Sequence, residues 1–284
     1  MVPLSNEEIR RHVQAALTED IGTGDVTTLA TVPPSLTASA VMVAREPLLV
    51  AGLAFANAAF KELSPTLAIE HLCADGDRAV GGTILLRVQG PARAILTAER
   101  TALNFVQRLS GIATLTARFV EAVRGTGAGI LDTRKTTPGW RQLEKYAVAC
   151  GGGQNHRVGL YDQVLIKDNH LMALRHEKPN PIAVAVAQAR ARCSGLKVEV
   201  EADTLEQAQQ AVEAGADIIL LDNMRNSELR AAVAMVAGRA KTEASGGVNL
   251  SNVRAVADTG VDFISVGALT HSATAVDIGL DFEN

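Results

Sequence analysis

Apolar positions follow two different rhythms along this chain, and the change falls near Gly125. Residues 6–17 alternate charged and apolar side chains at helical spacing, with Ile9, Val13 and Leu17 on one side behind a Ser5 or Asn6 cap. The glycines of the following EDIGTGDVTT segment predict a loop. Between Leu36 and Gln89 come β-rich runs, SAVMVARE, PLLVAG, TLAIEHLCADG and GTILLRVQG, with a helical stretch from Leu53 to Leu63 between them. That pattern predicts an α+β domain with an antiparallel sheet. From Thr97 to Val123 the period is again helical. Leu103, Val106, Leu109 and Ala113 share one stripe, Arg100, Asn104 and Arg108 another, and Gly111 is a candidate break.

After Gly125 short aliphatic or β-branched runs alternate with helical segments: GILDTRK, VLIKDN, KVEVE, DIILLDN, TEASGG and DFISVG. Strand followed by helix, repeated, predicts a parallel α/β domain. The last four runs begin near Lys197, Asp217, Thr242 and Asp262, a period of about 20 to 25 residues that a β/α barrel explains most economically. The rival doubly wound sheet would ordinarily open on a glycine fingerprint, and none opens this region.

Composition narrows the class. The 284 residues are 47% hydrophobic and 20% charged, which describes a compact soluble globule with a substantial core. The net charge of -4 argues against a general nucleic-acid or membrane-surface binder. The N-terminal segment shows no basic cap followed by an apolar stretch, and no run of apolar residues is long enough to span a bilayer, so neither export nor membrane insertion is expected. Cys73, Cys150 and Cys193 stand far apart, as expected of reduced thiols in a cytoplasmic protein.

Against that acidic background, positive charge is concentrated between Leu131 and His170. Arg134, Lys135, His156, Arg157, Lys167 and His170 crowd around glycines there, which predicts an anionic substrate. Two cations about 4 Å from a phosphate contribute roughly 4 kcal/mol each at an effective dielectric near 20. In a barrel the active site lies at the carboxyl ends of the strands. The residues at those ends are Arg134, Lys135, Lys167, Asp168, Glu201, Asp222, Ser245, Gly246 and Gly267. A strand-end lysine is also compatible with Schiff-base chemistry, but neighbouring cations suit phosphate binding better.

Side chains alternate along a strand, so Glu199 and Glu201 point the same way. With Asp222 they either hold Mg²⁺ bridged to phosphates or neutralise the lysines, and spacing leaves the two equal. The glycines of SGG (245–247) and VGALTHS (266–272) allow backbone N–H groups to approach a phosphate, although tight turns need glycine anyway. Gly151, Gly152 and Gly153 read as an anion-facing loop or as a flexible connection, and His156 as a ligand or a structural histidine. Arg100 is expected in the first turn of a helix capped by Thr97, where an anion would meet both guanidinium and free N–H groups; a solvated surface arginine is the alternative.

Taken together, EDIGTGDVTT, ERTALNFVQRLSGIATLT, the block from Asp132 to His170, EVEADTLEQAQQAVEAGADIILLDNM, EASGGVNLSNV and GVDFISVGALTHS resemble the quinolinate phosphoribosyltransferase family. The resemblance spans nearly the whole chain, in order. It implies conversion of quinolinate and 5-phosphoribosyl-1-pyrophosphate to nicotinate mononucleotide, pyrophosphate and CO₂ with Mg²⁺, a step of de novo NAD biosynthesis. The implied fold is an N-terminal α+β sandwich, residues 1–112 joined by 271–284, packed on an incomplete parallel β/α barrel, residues 113–270.

The resemblance also assigns roles. Arg134, His156, Arg157 and Lys167 would cradle the quinolinate carboxylates and neighbouring phosphates, with Lys135 near the reacting centre. Glu201 and Asp222 would serve catalysis and Mg²⁺, with Glu199 a lesser candidate, and Ser245, Gly246 and Gly267 would bind the 5-phosphate. Arg100 would reach the quinolinate site of a neighbouring subunit, making a homodimer with shared sites. The competing expectations are a relative acting on another pyridine or base, including the molybdenum-transport-associated paralogues, and a non-catalytic binder of phosphoribosyl compounds.

Overall fold

The computed structural model describes residues 4–283; Met1–Pro3 of the expected N-terminal segment and Asn284 of the C-terminal one lie outside it. The chain forms two compact units. The first contains the residues up to Ala117, the stretch Gln142–Gly152 and the residues from Ser272 onward.

Strands β1 (Thr37–Ala44), β2 (Leu48–Leu49), β3 (Ala68–His71), β4 (Arg78–Ala79) and β5 (Ile84–Pro91) belong to this unit, as does the C-terminal strand Ile278–Phe282. The main sheet has the order C-terminal strand, β1, β5, β3, and every pairing is antiparallel. β2 and β4 form a separate antiparallel pair. The α+β expectation is therefore met, with each expected run supplying a strand. β1 buries its second half, Ala40–Ala44, because it lies between two strands.

The first helix runs Asn6–Ile21, capped by Ser5, whose hydroxyl accepts the Glu8 N–H at 3.2 Å while Glu8 accepts the Ser5 N–H at 2.9 Å. Ile9, Val13 and Leu17 are its buried stripe, as the spacing predicts. EDIGTGDVTT is not wholly a loop. Its Asp25 accepts the Thr28 N–H at 3.0 Å and so starts the short helix Val26–Thr31. Helix Leu53–Leu63 matches its expected bounds and stacks Phe55 on Phe105 at 4.9 Å.

Two expectations about the long helix are corrected. It runs unbroken from Ala92 to Ala122, through Gly111. Gly111 is needed for close approach, because a Cβ there would fall on the Thr274 carbonyl. Nor does Thr97 start it; the Thr97 hydroxyl donates to Asp25 Oδ2 at 2.9 Å, and Arg100 lies well inside the helix, exposed. Gly151, expected in an anion loop, packs against the same long helix: a Cβ would lie 2.6 Å from Thr116 Cβ.

The second unit holds β6 (Gly129–Leu131), β7 (Val164–Ile166), β8 (Val198–Ala202), β9 (Ile218–Asp222), β10 (Lys241–Ser245) and β11 (Phe263–Ser265). All pairings are parallel, in the order β6-β11-β10-β9-β8-β7. The edge strands β6 and β7 do not pair, so the barrel is incomplete, as expected. Helices Leu205–Glu213, Asn226–Val236 and Val253–Ala257 connect successive strands. Thr204 caps the first of these, accepting the Gln207 N–H at 3.2 Å. Buried Val198, Val200, Ile219, Leu221 and Ala244 fill the sheet, and the polar side chains of β8 and β10 alternate with them. Among the described residues no helix is long and apolar enough to cross a membrane.

Candidate active site

At the carboxyl ends of these strands lies a cavity of about 270 Å³, built wholly from the second unit. Its lining includes Thr133, Arg134 and Lys135 after β6, His156 and Arg157, Lys167 after β7, Glu201, Asp222, Glu243, Ser245 and Ser265. Eight of the residues expected from sequence thus converge here: Arg134, Lys135, His156, Arg157, Lys167, Glu201, Asp222 and Ser245. Gly246 follows Ser245 with a φ of +96°, and Gly267 lies beside Lys135, whose Cδ would be 3.1 Å from an added Cβ. Arg100 belongs to the first unit. His170 instead caps the helix Asp168–Ala173, its Nδ1 accepting the Lys167 N–H at 2.9 Å. A larger hollow of about 560 Å³ lies at the opposite strand ends, but its Lys241 is 2.6 Å from Asp262 and its Asp217 is bound by Arg190 at 2.9 Å. Its Lys241, Asp262 and Asp217 side chains are thus already held in ion pairs.

The cavity's cations are held in place by contacts outside it. Arg141 donates to Thr136 Oγ1 at 3.1 Å, to the Val158 carbonyl at 3.1 Å and to the Arg134 carbonyl at 3.4 Å, tying the two cation loops together. Thr270 donates to the Lys135 carbonyl at 2.7 Å. Buried Arg157 donates to the Gln163 carbonyl at 3.2 Å. Its pKa is pushed below the ordinary arginine value by burial and then by the Arg134 charge. The Nε atoms of both Arg134 and Arg157 are buried without an acceptor. Two guanidinium groups crowded together with unused donors suit a ligand carboxylate or phosphate.

Beneath them is a group that the sequence reading left incomplete. Asp132, fully buried, accepts the Asn155 side chain at 2.7 Å and the His156 backbone N–H at 2.8 Å. His156 Nδ1 in turn accepts the Arg157 backbone N–H at 2.7 Å, which leaves the ring proton on Nε2. That proton faces Glu199 Oε2 at 3.1 Å, with Glu243 Oε2 at 3.7 Å. Gln163 also donates to Glu199 Oε2, at 2.5 Å. His156, grouped with the cations in the sequence, is thus turned toward two buried carboxylates.

His156, Glu199 and Glu243 are close enough to offer three donor atoms to a metal ion. With Nδ1 spent as an acceptor, however, Nε2 keeps its proton, so the cluster is organised around a proton. Glu243 is 1% exposed and neither carboxylate oxygen has a hydrogen-bond partner among the described residues. Burial, and then the neighbouring Glu199 charge, push its pKa up to about 8. The sequence reading missed Glu243, although it stands two residues before Ser245 on one strand and so shares its face.

Glu201 and Asp222 sit on adjacent strands and are only partly buried. Glu201 Oε2 meets Lys167 Nζ at 3.1 Å, and Asp222 Oδ2 accepts the Asn223 amide at 2.6 Å. The ion-pair alternative is thus realised at Glu201. Two carboxylates on one cavity wall also remain a suitable oxygen-donor set for Mg²⁺ completed by phosphates and water.

An open β/α barrel whose strand ends gather fixed cations, two carboxylates and a buried acid in one cavity defines an enzyme acting on a polyanionic substrate. The particular family follows from sequence. Residues 25–110 match the family model of the quinolinate phosphoribosyl transferase N-terminal domain, and residues 112–281 that of its C-terminal domain. The chain belongs to the quinolinate phosphoribosyl transferase family. It is 46% identical over 278 residues to the nicotinate-nucleotide pyrophosphorylase [carboxylating] of Mycobacterium leprae, covering 96% of each chain. It is 42% identical over 292 residues to quinolinate phosphoribosyltransferase [decarboxylating] 1b of Nicotiana tabacum, covering 97% of this chain and 83% of the relative. Among solved structures, the nicotinate-nucleotide pyrophosphorylase of Francisella tularensis superposes with a TM-score of 0.93 at 40% identity, covering 99% of this chain and 98% of that one.

Proposed function

We propose that this enzyme joins quinolinate to 5-phosphoribosyl-1-pyrophosphate and releases nicotinate mononucleotide, pyrophosphate and CO₂, feeding NAD biosynthesis. The observation that carries the reading is the single cavity in which Arg134, Lys135, Arg157 and Lys167 face Glu201 and Asp222. A dicarboxylate and a donor with a 5-phosphate and a pyrophosphate need fixed cations, and arginine forks suit the planar carboxylates.

Arg134 and Arg157 hold the quinolinate carboxylates, and Lys167 bridges toward the phosphates. Lys135 stabilises charge as the ring nitrogen attacks the anomeric carbon and pyrophosphate leaves through an oxocarbenium-like state. Backbone N–H groups from Ser245, Gly246 and Gly267 receive the 5-phosphate. His156 fixes the backbone that presents Arg157. Glu201 and Asp222 are the residues that would hold Mg²⁺; when bound, the ion neutralises the pyrophosphate charge. Once ribosylated, the ring nitrogen is positive and stabilises the electron pair left at C2 by loss of CO₂, so no organic cofactor is needed. The assembly this reading implies is a homodimer with shared sites, in which Arg100, exposed on its helix, serves the neighbouring copy.

The test is product formation from quinolinate and the ribosyl donor with Mg²⁺, beside nicotinic acid as rival acceptor. Nicotinate mononucleotide and CO₂ from quinolinate, abolished by EDTA and restored by Mg²⁺, are expected. Turnover of nicotinic acid in its place would reassign the substrate.

A further inference from the structure

Loss of the 2-carboxylate leaves an electron pair on C2 that must receive a proton, and the cavity offers few groups able to give one. Arg134 and Arg157 do not release protons at physiological pH. The His156 Nε2 proton is directed at Glu199. Lys167 is exposed and tied to Glu201 at 3.1 Å, and Lys135 is exposed to solvent. A cation next to the departing carboxylate also stabilises it in place and opposes its loss. A neutral acid has neither drawback.

Glu243 is such an acid by its geometry. It lines the cavity, is 1% exposed, and receives no hydrogen bond on either oxygen. Its neighbour Glu199 takes the Gln163 and His156 donors on Oε2, and the Ser265 hydroxyl opposes the effect on Glu243 only weakly. A buried carboxylate so short of donors beside another carboxylate is strongly disfavoured, so the proton stays on Glu243. The upward displacement of its pKa agrees.

We infer that Glu243 is the proton donor to C2 in the decarboxylation step. The inference rests on the reaction proposed above. The bond from C2 to the carboxylate carbon breaks, its electron pair stays on C2, and CO₂ leaves. The O–H proton of Glu243 then moves to C2 and forms the new C–H bond. Glu243 is left as a carboxylate and recovers a proton from water after product release. The hydrogen-bonded Glu199 and His156 set the acid's protonation without contributing the proton themselves.

The experiment compares pyrophosphate and CO₂ release by the full-length enzyme and by Glu243→Gln, with detection of quinolinate mononucleotide. Gln is nearly isosteric with the neutral acid but has no proton to give. In the wild type the two products appear together. In the variant CO₂ formation is expected to fall about 10²-fold or more relative to pyrophosphate release, the usual scale for removal of a general acid, and quinolinate mononucleotide accumulates. Glu243→Asp, which withdraws the acid by one methylene, gives a smaller imbalance of the same kind. Matched release with no accumulated intermediate in Glu243→Gln overturns the proposal; if that variant does not fold, matched release in Glu243→Asp does so. A wild-type enzyme that releases no pyrophosphate from quinolinate and the ribosyl donor sinks the functional reading itself, a failure distinct from that of Glu243.

Discussion

His156 Nδ1 accepts the backbone N–H of Arg157 at 2.7 Å, and this one bond fixes both the imidazole tautomer and the entry of the arginine into the cavity. The remaining ring proton turns toward Glu199 at 3.1 Å, so Glu243, farther off at 3.7 Å, is the less well served of the two acids. The electrostatic strain of the site collects on Glu243.

That strain has a pH signature. In the unfolded chain Glu243 ionises near the ordinary value of about 4.3, whereas in the fold it keeps its proton up to about 8. Between those values the native state binds more protons than the unfolded one. This group's contribution therefore favours folding most at low pH, declines as pH rises through the window, and is least favourable above about 8. The Tm of the wild type should fall relative to that of Glu243→Gln between pH 5 and 8.5, as read by calorimetry; parallel Tm profiles would contradict the assignment.

Arg157→Lys keeps the charge but loses the fork. A hydrogen bond to a charged group is worth about 1.5–3 kcal/mol, so KM for quinolinate should rise about 10- to 100-fold. Initial-rate kinetics with quinolinate varied at saturating ribosyl donor measure it. An unchanged KM would remove Arg157 from the carboxylate site.

Lys135→Ala is expected to lower kcat by about 10² to 10³, the usual loss on removing one preorganised charge-stabilising donor. Because Lys135 is exposed, its thermal midpoint should stay close to that of the wild type. Near-normal turnover would defeat the role given to this lysine.

Gly111→Ala opposes two effects. Alanine favours a helix interior by about 1 kcal/mol over glycine, but its methyl would fall on the Thr274 carbonyl. Overpacking of this kind costs about 1–3 kcal/mol, and backbone cannot swing aside as a side-chain tip can, so net destabilisation is expected in urea titration. A stabilised variant would show that the segment from Ser272 onward yields easily.

The strands were legible because period and length speak directly about them. Each run from GILDTRK to DFISVG supplied a strand of the parallel sheet, and the cations after β6 and β7 entered one cavity because strand ends converge there. Glu243 was legible in principle, from its two-residue offset to Ser245, but a carboxylate inside a short strand gives no sign of whether it will find a donor. Arg141 offered no signal at all. Its three acceptors lie on residues whose approach depends on loop conformation.

Glycine shows where local reading ends. Gly111 suggested a helix break and Gly151 an anion loop, and both proved to be points where two backbones pass too closely for a Cβ. Periodicity and strand-end charge anticipated the parallel strands and the cation-rich site, because those depend on neighbours along the chain, and the resemblance anticipated the unclosed barrel. Only the tertiary structure decided the tautomer of His156, the isolation of the Glu243 carboxyl, the Arg141 clamp and the pairing of Ile278–Phe282 with β1. Those depend on hydrogen-bond inventory and steric contact between residues distant in sequence, which no spacing along the chain encodes.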